Sequence, residues 1–111
     1  MDLLEEKVGG VTVVAVKGRI DSTTSPTLGE QLTASLAAPK VRVVLDLSRL
    51  EYISSAGFRI LLLAAKRADE AESRLVLCGI SGKVRQLFDL GGFLDLFTIV
   101  GSRDDGISAA Q

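Results

Sequence analysis

The chain has 111 residues, the length of one compact domain, and its apolar fraction of 47% is too high for a disordered segment. It carries 13 Lys and Arg against 14 Asp and Glu, and a formal charge of −1 excludes the strongly basic surface that holds nucleic-acid phosphates. Histidine, the commonest general base and metal ligand, is absent, and one cysteine allows neither an internal disulfide nor a zinc-binding cluster. These features predict a binding module rather than an enzyme, with no metal and no cofactor.

The ends and apolar runs of the chain give no sign of export or membrane insertion. Residues 1–6 are acidic, where a secretory signal would be basic. The longest apolar run, Ile60–Ala65, is far shorter than the roughly 20 residues that a membrane span requires. We therefore expect one domain over residues 1–111, a cytoplasmic location, and no nucleic-acid partner. The oligomeric state stays open.

The first third of the chain predicts a hairpin followed by a helix. The weak strand Leu3–Val8 and the strand Val11–Val16 flank Gly9-Gly10, a dipeptide that closes two-residue hairpins because both positions tolerate positive φ. Ser25-Pro26 begins the first helix, since serine caps exposed amides and proline suits the opening helical position. Three leucines at four-residue steps form its buried face, and a proline ends it: Leu28, Leu32, Leu36 and Pro39.

The rest of the chain alternates between buried strands and helices. Three further strands are predicted at Val41–Leu47, Leu75–Cys78 and Leu96–Val100. Helices follow them over residues 55–72, from Ser81 to Gly91-Gly92, and from Ser102. The buried stripe of the second helix is predicted to consist of Phe58, Leu61, Leu62, Ala65 and Ala68.

This order predicts an α/β fold with a mixed sheet, an N-terminal antiparallel hairpin followed by parallel strands, and about four helices. Strand–helix–strand crossovers require parallel neighbours, and parallel strands bring their outgoing loops to one end of the sheet. Open α/β sheets bind ligands at that end. The loops expected there are Gly18–Thr24, Ser48–Ser54 and Gly79–Ser81.

The most informative segment is Asp46–Arg59, where a buried strand leads through a loop into a helix. The helix opens on Ser54 and Ser55, followed by the small residues Ala56 and Gly57. This sequence places a hydroxyl beside the positive end of a helix, where backbone amides and the helix dipole favour a phosphate. Serines at helix starts are most often caps only, so the residues alone leave capping and phosphorylation open.

The run Asp46–Arg59 resembles the signature of STAS domains, specifically of stand-alone bacterial anti-sigma-factor antagonists. Members typically have a strand, a loop ending in Asp-Ser-Ser-Gly or Ser-Ser-Ala-Gly, and an apolar helix. Gly18-Arg19-Ile20-Asp21 resembles the Gly-Arg-Leu-Asp loop of the family. Together with the hairpin start and the closing helices, the resemblance covers nearly the whole chain and implies the single-domain STAS fold.

The resemblance also implies a switch. In this family the unphosphorylated antagonist binds an anti-sigma factor that is also a serine kinase, which frees a sigma factor. Phosphorylation of the serine two places before the glycine ends the binding, and a metal-dependent phosphatase of the PP2C type resets it. The corresponding acceptor is Ser55, with Ser54 as second choice. The implied partner-binding residues are Asp21, Ser54, Ser55, Ala56 and Gly57.

Ser54 departs from the family pattern, because many members carry Asp at that position. The departure favours an alternative, a STAS scaffold or transport-associated regulatory subunit that needs no phosphorylation. A small serine hydrolase is a third class, which the missing histidine argues against.

Three other residues are expected to lack a chemical role: Cys78 in the core, Asp46 as an isolated carboxylate near the rim, and Phe58, whose helical phase favours the core over the interface.

Overall fold

One five-stranded sheet organises the chain, and a computed structural model describes all 111 residues. The strands lie side by side in sequence order: β1 (Asp2–Val8), β2 (Val11–Ile20), β3 (Arg42–Ile53), β4 (Arg74–Cys78) and β5 (Thr98–Val100). The helices are α1 (Ser25–Ser35), α2 (Ser55–Glu70), α3 (Gly82–Leu90) and α4 (Arg103–Ala110), with a 3-10 turn at Leu94–Leu96. β1 pairs antiparallel with β2 and all other pairs are parallel, so the predicted mixed sheet is confirmed.

The hairpin between β1 and β2 forms as predicted. Val8 pairs with Val11, which leaves Gly9 and Gly10 as the two turn residues. Their φ angles are 55° and 81°, the left-handed conformation that only glycine adopts without strain. The turn therefore fixes the register of β1 against β2.

The core lies on both faces of the sheet. Helices α1, α2 and α3 cover one face over a cluster of 19 buried residues, and α4 covers part of the other over a cluster of six. Successive strand residues alternate between them: Leu45 belongs to the larger cluster, while Val44 and Asp46 point to the α4 side. Burial on both faces explains why the central strands have almost continuous apolar sequences.

Strands β2 and β3 are longer than the sequence predicted. The expected loop at residues 48–54 is strand up to Ile53, and the expected loop at residues 18–24 is strand up to Ile20. Register shifts after Ala15 and after Gly18 let the backbone pairing continue where the residues become polar. The apolar periodicity was misleading here because exposed polar side chains such as Arg19, Arg49 and Glu51 interrupt it while the main chain still pairs.

The helix ends also differ in detail. α2 ends at Glu70 instead of residue 72, because Glu72 adopts a positive φ of 56°. Its buried stripe includes Ala64, whereas Ala65 and Leu62 are only half-buried. The last strand begins two residues later than expected, because the 3-10 turn occupies Leu96.

Ser25 was predicted to cap α1, and this prediction is wrong. Ser25 is the first helical residue and is buried, whereas Thr24 occupies the cap position. Pro26 lies in the first turn as expected, since proline needs no intrahelical amide bond there. None of the helices combines the length and the apolar character that crossing a membrane needs.

An arginine holds each end of α4 against the sheet. Arg103, at the start of the helix, lies 2.9 Å from Asp46 Oδ2 and 3.1 Å from Glu6 Oε1. Arg74 of β4 donates hydrogen bonds of 3.2 and 3.0 Å to the carbonyls of Ala109 and Gln111. The prediction that Asp46 is isolated is therefore wrong: its sequence-distant partner is 57 residues away.

The Asp46 carboxylate is ionised in this setting. Burial raises its pKa, but hydrogen bonds from Ser48 and from Arg103 outweigh burial and hold the pKa below its ordinary value of 3.8. The hydrogen bonds that Arg103 donates to Asp46 and to Glu6 raise the pKa of Arg103. The pair is consequently charged across the neutral range and links β3 to α4.

Asp46→Asn is expected to lower the free energy of unfolding by about 1–3 kcal/mol at neutral pH, because it leaves Arg103 without its buried counter-charge. The folded pKa of Asp46 is lowered, so its stabilisation is complete above pH 3.8 and is lost as the pH falls below that value. Urea unfolding at pH 7 and at pH 3 measures both effects. Arg42→Gln, at an exposed position of the same strand, is the control. An Asp46→Asn variant as stable as wild type at pH 7 would contradict the assignment.

Candidate functional site

The candidate site lies where β2 and β3 end. Ile20 and Ile53, the last residues of the two strands, pair with each other. The amide of Ser54 then donates a 2.9 Å hydrogen bond to the carbonyl of Ile20. The turn that begins at Asp21 and the start of α2 are therefore neighbours, although more than 30 residues separate them in sequence.

The two serines at the start of α2 have different roles. Ser54 is the N-cap, and its Oγ accepts a 3.3 Å hydrogen bond from the amide of Gly57. Ser54 is half-buried, whereas Ser55, the first helical residue, is exposed. The hydroxyl of Ser55 is thus the one that a visiting enzyme can reach without breaking the cap.

Gly57 presses the start of α2 against the ends of the two strands. A β-carbon at Gly57 would lie 2.6 Å from Ile20 Cγ2 and 2.7 Å from Ile53 Cγ1. Real β-carbons do not approach neighbouring atoms this closely, so the position requires glycine for packing. The close contact fixes the height of the helix start above the sheet and hence the position of Ser55.

The turn at Asp21 is held by a reciprocal set of hydrogen bonds. Asp21 Oδ1 accepts the amides of Thr23 and Thr24 at 3.0 and 3.1 Å and the Thr23 hydroxyl at 2.7 Å. In return, Thr24 Oγ1 accepts the amide of Asp21 at 2.9 Å, the exchange typical of a capping box. The bond from the Thr23 hydroxyl, followed by those from the two amides, lowers the pKa of Asp21 to about 2.

Sequence reasoning missed one feature beside the site, a cation–π pair. Arg19 and Tyr52 are register partners on β2 and β3, and the guanidinium carbon lies 4.4 Å from the ring centroid. Both residues come one position before their strand ends. The Arg19–Tyr52 pair could be predicted only if both strands were known to extend to these residues, because the register between the strands brings the two side chains together.

Two other candidates lie away from the surface. Phe58 is only 5% exposed and packs edge-on against Phe88 and face-on against Phe93, so it belongs to the core. Cys78 is buried in the cluster under α4, as predicted. Burial, together with the nearby charge of Asp46, raises the pKa of the Cys78 thiol to about 11. At neutral pH this thiol is protonated and a poor nucleophile.

The five strands of this mixed sheet lie in sequence order, with three helices on one face and one on the other. This arrangement is the fold of a class of small α/β domains of which many structures have been solved. The family model described as "STAS domain" matches residues 3–106, and the chain belongs to the STAS domain family. Residues from the first strand to the last helix are included in this match.

Similar proteins of known name support membership in this family. The chain is 38% identical over 109 residues to the putative anti-sigma factor antagonist BtrV of Bordetella bronchiseptica, with 98% of this chain and 94% of that protein covered. It is 30% identical over 86 residues to the anti-sigma-B factor antagonist of Listeria monocytogenes, with coverage of 78% and 75%.

Solved structures share the fold. A crystal structure of an anti-sigma factor antagonist from Mycobacterium paratuberculosis superposes with a TM-score of 0.84 at 28% identity, with 98% of this chain and 92% of that chain covered. The antagonist SpoIIAA in its unphosphorylated form gives a TM-score of 0.71 at 15% identity over 97% and 96% of the two chains. At 15% identity, the comparison with SpoIIAA shows a shared fold and nothing about function.

Thr23→Val is expected to raise the pKa of Asp21 from about 2 towards 3.8, because it removes the hydroxyl that donates the strongest bond to the carboxylate. A carboxyl NMR titration measures the change. The lowered folded pKa also means that the turn contributes its full stability above pH 3.8 and loses it as the pH falls towards 2. Ser22→Ala, an exposed neighbour in the same turn, is the control. An Asp21 pKa that Thr23→Val leaves unchanged would refute this account.

Gly57→Ala is expected to cost about 1–3 kcal/mol of unfolding free energy, since the added methyl group must displace Ile20 or Ile53. Gly29→Ala is the matched control in α1. Its β-carbon would meet only the flexible end of Ile60, at 3.2 Å, and alanine favours the helix by about 1 kcal/mol. Urea unfolding of both variants tests the difference. If Gly57→Ala were as stable as Gly29→Ala, the close contact would not constrain the site.

Proposed function

We propose that this protein is an anti-sigma-factor antagonist. Its unphosphorylated form binds an anti-sigma factor that is also a serine kinase, and the binding frees a sigma factor. The proposal is supported by the names of the relatives and by family membership. The observation that carries it is the exposed Ser55 hydroxyl at the start of α2, next to the ordered turn at Asp21.

In this proposal Ser55 is the phosphate acceptor and Ser54 the less accessible second choice. The Ser54 oxygen already accepts the Gly57 amide, so a kinase that used Ser54 would have to release the cap. Phosphorylation of Ser55 leaves the capping bond of Ser54 intact. A phosphate there would face the positive end of α2, where helix amides stabilise a dianion. Phosphorylation is therefore expected to preserve the fold.

The phosphate would nevertheless change the docking face strongly. It adds about −1.5 to −2 charges to a chain whose formal charge is −1. The neighbouring Asp21 carboxylate is already ionised, given its pKa of about 2. The small side chain of Ala56 keeps the surface around Ser55 low, so a partner can approach closely. A bulky dianion at that position must be dehydrated on contact and opposes docking.

The chain acts here as ligand and kinase substrate, not as catalyst. Nucleophilic serine needs a neighbouring base, and the chain supplies no histidine. A phosphatase of the PP2C type would restore the binding form by removing the phosphate. The proposed contact surface consists of Asp21, Ser54, Ser55 and Ala56, whereas Gly57, which the sequence also indicated, is buried beneath them and acts by positioning the helix start.

A second candidate function follows from Ser54, which stands where many members of the family carry Asp. A scaffold or transport-associated STAS subunit binds its partner without phosphorylation. The two functions differ in one observable. The antagonist acquires a phosphate on incubation with its kinase and ATP, whereas the scaffold binds and stays unmodified.

Incubation with the cognate kinase and ATP, followed by mass spectrometry of peptides, is expected to place one phosphate on Ser55. Ser55→Ala should abolish the modification and Ser54→Ala should retain it, because Ser54 serves as the cap. A kinase that binds the chain but leaves both serines unmodified would favour the scaffold.

Titration calorimetry against the same partner tests the consequence for binding. Ser55→Ala should bind like the unmodified protein, and Ser55→Asp should bind at least about tenfold more weakly, a difference of about 1.4 kcal/mol. Ser108→Asp adds the same charge at an exposed position on α4 and should leave the affinity unchanged. Equal affinities for Ser55→Ala and Ser55→Asp would refute the proposed interface.

A further inference from the structure

A second concave surface lies on the α4 side of the sheet, away from α1 and α2. Because α4 packs mainly on β4 and β3, it leaves β1 and the part of β2 beyond Val13 uncovered on this face. The uncovered part holds a cleft of about 520 Å³ that begins beside Arg103. The small, half-buried side chain of Ala15 lines the cleft. The volume is in the range of small-molecule sites.

Two unpaired cations lie side by side in this cleft. Lys17 of β2 and Arg49 of β3 are register partners, line the cleft and are both exposed. Both ion pairs of the structure involve Arg103, so neither Lys17 nor Arg49 has a counter-charge within 4.0 Å. Like charges on adjacent strands repel and destabilise a sheet. Their placement is therefore unfavourable for folding unless an anion neutralises them.

The carboxylates nearby do not neutralise this pair. Asp46 is bonded to Arg103 and to the amide of Ser48. Asp2 is the register partner of Lys17 on β1 but forms no ion pair with it. The cleft thus contains three cations against two carboxylates, on a chain that is slightly acidic as a whole.

The cleft also has an apolar side. Leu4 of β1, paired with Ala15, lines it and is 62% exposed, the second-largest exposure among the large apolar side chains. An apolar residue next to two cations provides complementary contacts for a molecule that has both characters. A bare inorganic anion would use only half of these contacts.

We propose that this cleft binds a small organic anion, with a phosphate or carboxylate group between Lys17 and Arg49 and a short apolar body against Leu4 and Ala15. The site is on the other face of the sheet from α2. It is independent of the proposed phosphorylation of Ser55, and each can fail without the other.

Backbone NMR titration tests the site with four probes. Phenyl phosphate and phenylacetate combine an anionic group with an apolar body, inorganic phosphate has the anion alone, and benzyl alcohol has the body alone. At least one of the first two should shift the amides of Ala15, Lys17 and Arg49 in a saturable way and bind about tenfold more tightly than either half-probe. The preferred probe identifies the anionic group.

Lys17→Gln and Arg49→Gln should each raise the Kd of that probe about tenfold, because each removes one charged donor. Arg42→Gln, an exposed cation at the other end of β3, and Ser55→Ala should leave it unchanged. Without probe, Lys17→Gln should raise the Tm at low salt, since it relieves the repulsion. This readout also shows that the variant folds.

Three results would overturn the proposal. The first is the absence of saturable shifts at the cleft with either organic anion. The second is an unchanged Kd in both glutamine variants. The third is binding of benzyl alcohol as tight as that of the anions, which would make the cleft merely apolar.

Discussion

The pairing of β2 with β3 to their last residues is the interaction on which the candidate site depends. Ile20 and Ile53 pair at the end of the two strands, and the Ser54 amide extends the pairing by one more bond. Gly57 then packs against both isoleucines at a distance that excludes any side chain. Because the strands cannot separate without losing these contacts, the Asp21 turn and the exposed Ser55 hold a fixed relation to each other.

The sheet divides the molecule into regions with different electrostatics. The end of β2 and β3 presents an ionised carboxylate and an exposed hydroxyl at a helix start. The part of the opposite face that α4 leaves uncovered presents Lys17 and Arg49 without ion-pair partners, close to the pair of Asp46 and Arg103. The net charge of −1 does not reveal this separation, because it sums the charges of the whole chain. A count of charges in the sequence therefore could not locate either region.

Local sequence signals predicted the element order well, because each has a short-range physical cause. Gly9-Gly10 requires positive φ, and Ser102 caps α4 through the amide of Asp105, as expected from its position before two acidic residues. The ends of β2 and β3 were predicted too short, since apolar periodicity does not report main-chain pairing where exposed polar residues interrupt it.

Long-range partners were beyond the reach of periodicity. Nothing local to Asp46 indicates Arg103, and the pairing of Arg19 with Tyr52 depends on the register between two strands. In the candidate site, the sequence indicated that the two serines and Asp21 come together at one end of the sheet. The residues alone could not distinguish the capping serine from the exposed one, because that difference depends on the hydrogen bond that Ser54 Oγ accepts from the Gly57 amide.

The internal bonding of Asp21 affects how an alanine scan of this surface should be interpreted. Its Oδ1 is occupied by Thr23 and Thr24, so truncating Asp21 would loosen the loop as well as remove a charge. An apparent hot spot at this position would thus combine direct contact with preorganisation. A loop that has already lost its conformational entropy on folding does not lose it again on association, and affinity benefits even where the side chain touches nothing.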